Sequence, residues 1–133
     1  MSYKEENKEL LSKDLCGRLP YGVKAQYYGI NKEDTMYDTI DSINVIGNGT
    51  VEVGIGQYGL NIEDIKPYLF PLSSMTEEQD KEYALLQTSA GKEGFLYAWN
   101  CANMIEWLIE NHFDYNGLIP KGLAIDATNL NIY

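Results

Sequence analysis

Apolar and polar positions over residues 5–16 have helical spacing: Leu11 and Leu15 fall four apart among Glu, Lys and Ser. Gly17 stands where a left-handed cap would close this short helix, and Pro20 forbids its continuation. From Gly22 the period drops to two. Val23, Ala25 and Tyr27 fall on one side and Lys24, Gln26 and Tyr28 on the other, the alternation of a strand. The run TMYDTIDSINVI continues as a second strand, and Asn48-Gly49 supplies the pair that a two-residue type I′ turn requires, so strands two and three are expected to form a hairpin. Val51, Val53 and Ile55 line one face of the third strand, while Gly54, Gly56 and Gly59 predict a bulge or sharp bend after it. A short strand over 60–62 and one tight turn over 63–65 follow, then a last strand carrying Tyr68, Phe70 and Leu72. Pro67 and Pro71 lack ladder donors, which places that strand at an edge.

Beyond residue 74 the period returns to that of a helix. Thr76 with Gln79 three positions later is a capping box, and Glu77 and Glu78 occupy the first turn, where the helix dipole favours them, so a helix is expected over 77–88. A second one is expected over 95–113, with Cys101, Met104, Ile105, Leu108 and His112 on one stripe and Glu106 and Glu110 on another. The tail is too irregular for a helix, yet Leu118, Ile119, Leu123, Ala124 and Ile125 are too apolar to be left in water, so it is expected to wrap back over the body. The order of elements predicts an α+β domain over 1–133. A helix and turn (1–20) precede a small SH3-like antiparallel β-barrel (21–73), and a helical part with an irregular tail (74–133) packs on it.

Composition narrows the function classes. Twenty acidic against ten basic residues leave a net charge of −10, and nine scattered lysines with one arginine cannot build the basic stripe that phosphate contacts require. Direct nucleic-acid binding is not expected, and an acidic surface suits a basic patch on a protein partner. No run approaches the roughly 18 apolar residues of a membrane span, and the N-terminal residues lack the apolar stretch of a secretory signal, so a cytosolic protein without membrane contact is expected. Cys16 and Cys101 are too far apart for a CxxC site and read as reduced thiols.

Candidate catalytic groups are sparse. The only histidine, His112, lies eleven positions after Cys101 on the same expected helix, roughly 16 Å away, which precludes a nucleophile–base pair within it. At a helix C-terminus His112 reads instead as a dipole-favoured cap. The carboxylate pairs Asp38 with Asp41 and Glu63 with Asp64 lack the dense spacing of a calcium loop, and GNGTVEVGIGQYG has neither the lysine nor the following helix of a phosphate loop. No metal site, cofactor or catalytic residue is expected. Eleven tyrosines are more suggestive, because Tyr21, Tyr27, Tyr28, Tyr37, Tyr58 and Tyr68 all fall in or beside the expected barrel. Tyrosines on a barrel surface present stacking faces and hydroxyls to a peptide or a base. Arg18, in LCGRLPYG, has two readings: a cation held at the end of the first helix, or a planar fork for an anion. The candidate ligand-binding residues are Arg18, Tyr21, Tyr28 and Tyr58.

The stretches LSKDLCGRLPYGVKAQYYG, IEDIKPYLFPLSSMTEEQ and MIEWLIENHFDYNGLIPKGLAIDAT and the final Tyr resemble a family of short uncharacterised proteins encoded by phages and integrated elements of intestinal anaerobic, Bacteroidales-type bacteria. The resemblance implies a phage accessory protein in the host cytosol and assigns no residue roles. The expected function is therefore a non-catalytic binding module, with a homo-oligomer among its expected partners. Counter-defence would fit it, by sequestering a small anionic, nucleotide-type signal or by occupying a host protein. The alternatives are an acidic DNA-mimicking inhibitor and a small thiol- or metal-dependent hydrolase.

Overall fold

Helix α1 spans Tyr3–Arg18, two residues longer at each end than the apolar spacing predicts. The computed structural model describes residues 3–28, 35–46, 50–56, 58–90 and 94–133, with side chains described for all of these but 3, 4, 87–90 and 94–101. Gly17 does not end α1. Asp14 and Arg18 form an i,i+4 pair that holds the final turn together, and a 3-10 turn, Leu19–Tyr21, follows before the helical run ends at Gly22 (φ 71°). That left-handed conformation is the one glycine adopts without strain.

Strand β1 is Lys24–Tyr28, β2 is Thr35–Thr39, β3 is Ser42–Ile46, β4 is Thr50–Ile55 and β5 is Tyr58–Asn61. The run read as one strand over residues 35–46 is thus divided. Its first half pairs back onto β1 and its second half onto β4. Two consecutive amides make the change of sheet: Ile40 N donates to Val23 O (2.9 Å) and Asp41 N to Gly54 O (2.7 Å). The Asp41 carboxylate braces this corner by accepting from Gly56 N (2.8 Å). The expected Asn48-Gly49 turn lies outside the described residues. β4 and β5 pair with Gly54 opposite Gly59, where a Cβ on Gly59 would press into the Glu52 side chain.

Strand β6 is Lys66–Pro71, with two-residue strands β7 (Phe113–Asp114) and β8 (Ile125–Asp126). One sheet runs β2-β1-β6-β7 with β8 also on β6, and the other runs β3-β4-β5. The fold is mixed α+β. Among the described residues no ladder joins the two sheets, so the strands do not close into the barrel expected from their order. β6 also departs from expectation, since it pairs on both sides instead of lying at an edge. Its neighbours are short, so few amides are asked of it, and Pro67 and Pro71 are tolerated.

The core fills the space between the sheets and α1: Leu15, Val23, Ala25, Val53, Ile55, Ile62, Leu69 and Leu118 are all fully buried. Helix α2 (Glu77–Ala90) opens on its capping box, with Gln79 N donating to Thr76 Oγ1 (3.1 Å) and Thr76 N to Gln79 Oε1 (2.9 Å). Helix α3 (Gly94–Glu110) ends before His112. Near its end Trp107 stacks on Tyr83 and Phe113, with centroids 5.6 and 5.7 Å away, and donates to Glu82 (3.0 Å). The tail returns to the body through β8 and the buried Leu118, Ala124 and Ala127. Among the described residues no helix is long and apolar enough to cross a membrane.

Candidate functional site

Arg18 points into the protein and is fully buried. Its Nε donates to Asp14 Oδ2 (2.6 Å) and its Nη2 to Asp14 Oδ1 (3.2 Å) and to the Phe113 carbonyl (2.6 Å). Asn116 Nδ2 also donates to Asp14 (2.8 Å), and the guanidinium carbon lies 5.3 Å from the centre of the Tyr115 ring. The planar fork that could clasp an anion is taken by Asp14, and the guanidinium ties α1 to β7. Asp114, the next residue along, is buried and accepts from Leu118 N (2.8 Å) and Ile119 N (2.9 Å), which fixes the start of the tail.

His112 has a left-handed backbone (φ 62°) and stacks face to face on Tyr133, with ring centroids 3.6 Å apart and planes 10° from parallel. It is not a charged helix cap: burial, aided by the charges of Arg18 and Lys24, lowers its pKa to about 4 and keeps the ring neutral at pH 7.

Tyr133 completes an interrupted ladder. The β1–β6 register pairs Gln26 with Lys66 and Ala25 with Pro67, so Lys24 and Tyr68 come next. Between them sits the Tyr133 hydroxyl, which accepts from Lys24 N (2.8 Å) and donates to Tyr68 O (2.7 Å). Lys24 Nζ fastens the same segment by donating to Ile132 O (3.0 Å). Although 41% of the residue is exposed, burial pushes the phenol up to about 12, against the opposing pull of the Lys24 backbone and Arg18.

These contacts brace one face of the larger sheet, and that face is aromatic. Tyr37 meets Tyr68 edge-on at 5.9 Å and 74°, and Phe70 packs against Tyr133 at 5.9 Å. By alternation Tyr28 shares this face, and Tyr28 and Tyr37 remain 57% and 53% exposed. β2 forms the border. Thr35, Met36, Tyr37 and Asp38 are all exposed, and no strand pairs with the outer edge of β2 among the described residues. Because Ile40 N donates towards β1, alternation turns the amides of Thr35, Tyr37 and Thr39 outward. Asp38 Oδ1 accepts from Thr39 N (2.7 Å), whereas among the described residues the outward amides of Thr35 and Tyr37 have no such side-chain cap.

The four candidate residues from the sequence do not converge. Arg18 is buried. Tyr21 is half-buried and donates to Glu106 (2.9 Å), a bond that, with burial and the nearby Glu106 and Glu110 charges, raises its pKa. Tyr58 packs on Tyr27 at 6.1 Å, on the face of β1 opposite Tyr28. Only Tyr28 lies on the aromatic face. Tyr37 stood among the tyrosines grouped by sequence, whereas Met36 and Tyr133 carry no local signal of their positions. Among the described residues no group of three or more His, Cys, Asp or Glu is placed to hold a metal ion. No protein-family model, curated protein or solved structure matches the chain.

Proposed function

We propose that the protein is a non-catalytic binding module that occupies a protein partner by accepting an extended segment along the outer edge of β2. The observation that carries this reading is the state of that strand: an edge that no strand pairs among the described residues, with outward amides at Thr35 and Tyr37 and exposed Met36 and Tyr37 on alternate faces. Proteins usually blunt such edges, because they template pairing with another chain. Strand addition uses them, with the backbone giving affinity and alternate side chains giving specificity. Asp38 and a net charge of −10 favour a partner segment that carries lysine or arginine. The resemblance to phage-encoded accessory proteins supports a counter-defence setting in which a host protein is occupied. A nucleotide-type ligand has less support, since the one guanidinium that would clasp its phosphate is paired with Asp14.

A photo-crosslinking amino acid placed at Tyr37, expressed in the host, tests the reading. It is expected to yield one dominant protein adduct, whereas the same probe at exposed Lys81 on α2 yields none. Equal adducts from both positions, or none from Tyr37, would overturn it.

A further inference from the structure

A second feature stands apart from β2 and rests on no part of the strand-addition reading. Between α1, the 3-10 turn Ile62–Asp64 and the tail lies a cavity of about 220 Å3, lined by Asn7, Lys8, Leu11, Ile65, Lys66 and Leu123 among others. Its floor is apolar: Leu11, Ile62 and Ile65 are buried and Leu123 is half-buried. Asn7, only 8% exposed, adds an amide to the wall.

Two lysines, Lys8 and Lys66, are among the lining residues. Lys8 is half-buried and Lys66 exposed, and neither is held in an ion pair among the described residues. Glu63 lines the same cavity, so its lining holds two cationic side chains and one anionic one in a chain of net charge −10. An apolar pocket with a few convergent polar groups is the usual form of a small-ligand site, and this one is smaller than the roughly 300–1,000 Å3 that drug-sized ligands occupy.

We infer that this cavity binds a small aliphatic carboxylate, with the chain on Leu11, Ile62, Ile65 and Leu123 and the carboxylate between Lys8 and Lys66. The lysines recognise a diffuse negative charge rather than a planar fork, which suits a carboxylate whose orientation the apolar floor sets.

Amide-resolved NMR titration of the full chain with sodium octanoate tests this, with 1-octanol as the neutral counterpart. Octanoate is expected to give saturable shifts at Leu11, Ile62, Ile65 and Leu123, and octanol to bind at least about fivefold more weakly, the scale of partly exposed charge pairs. The double variant Lys8→Gln, Lys66→Gln is expected to bind both alike. Its unchanged octanol affinity would show that the cavity is still formed. Equal binding of octanoate and octanol by the wild-type protein, or no saturable shift at those residues, overturns the proposal. So does tighter binding of an acetylated peptide ending in a free Leu carboxylate, because the cavity would then read a peptide end.

Discussion

Arg18 shows how far a single residue can be read from its neighbours. The only arginine of an acidic chain invites an anion-binding role, yet Asp14 one turn earlier is the signal of a helix-borne ion pair, in the order that favours it. What the sequence cannot give is the third partner, the Phe113 carbonyl 95 positions away, which draws the guanidinium inward. Removing one member of a buried pair strands the other, so Arg18→Ala is expected to cost about 3–5 kcal/mol in chemical denaturation. Arg18→Lys keeps the charge but cannot reach both Asp14 and Phe113, and a loss of at least about 1 kcal/mol is expected. Wild-type stability in both variants would mean that the pair is solvated. For His112 the sign follows from its lowered pKa: the native protein binds fewer protons than the unfolded chain, whose histidine titrates near 6.5. The contribution is therefore complete above pH 6.5 and is lost as pH falls towards 4. Because the ring is only partly shielded, the loss is about 1–2 kcal/mol. His112→Asn, which tolerates the left-handed backbone, is expected to flatten the stability slope between pH 6.5 and 5. An unchanged slope would assign it to other groups.

At the scale of elements, local signals read well and partner choice does not. The Thr76–Gln79 box is formed as the sequence predicts, because its bonds close within four residues. The alternation of β1 and β4 is likewise visible in burial. The break at Ile40–Asp41 is invisible, since an extended backbone continues through it and only the pairing partner changes. Tyr133 lies further still from local logic, as its hydroxyl joins backbone groups 65 and 109 positions away. Tyr133→Phe keeps the ring against His112 and Phe70 but removes the bridge between Lys24 N and Tyr68 O. It is expected to cost about 0.5–1.5 kcal/mol, the net worth of a typical hydrogen bond, and to speed hydrogen exchange at the Lys24 amide. Unchanged exchange there would show that the two strands close on each other without the phenol.

Across the whole molecule, Arg18 fixes α1 to β7, Asp114 fixes the tail, and Tyr133 fills the ladder behind the aromatic face. The sheet behind Tyr37 is thereby tied to α1 and the tail, while no strand pairs with its outer strand among the described residues. The candidate site was legible in the sequence only as an excess of tyrosines. Which of them lie on one face depends on strand pairing over long separations, and the face that emerges includes Tyr28 but not Tyr58. The central claim is that β2 accepts a strand. Its most direct test is amide hydrogen exchange of the full chain, with and without a peptide selected for binding from a random display library. Slowed exchange at Thr35 and Tyr37, abolished by Tyr37→Pro, which removes the outward amide, is the predicted result. No selectable binder, or a bound peptide that leaves both amides exchanging as in the free protein, would contradict it.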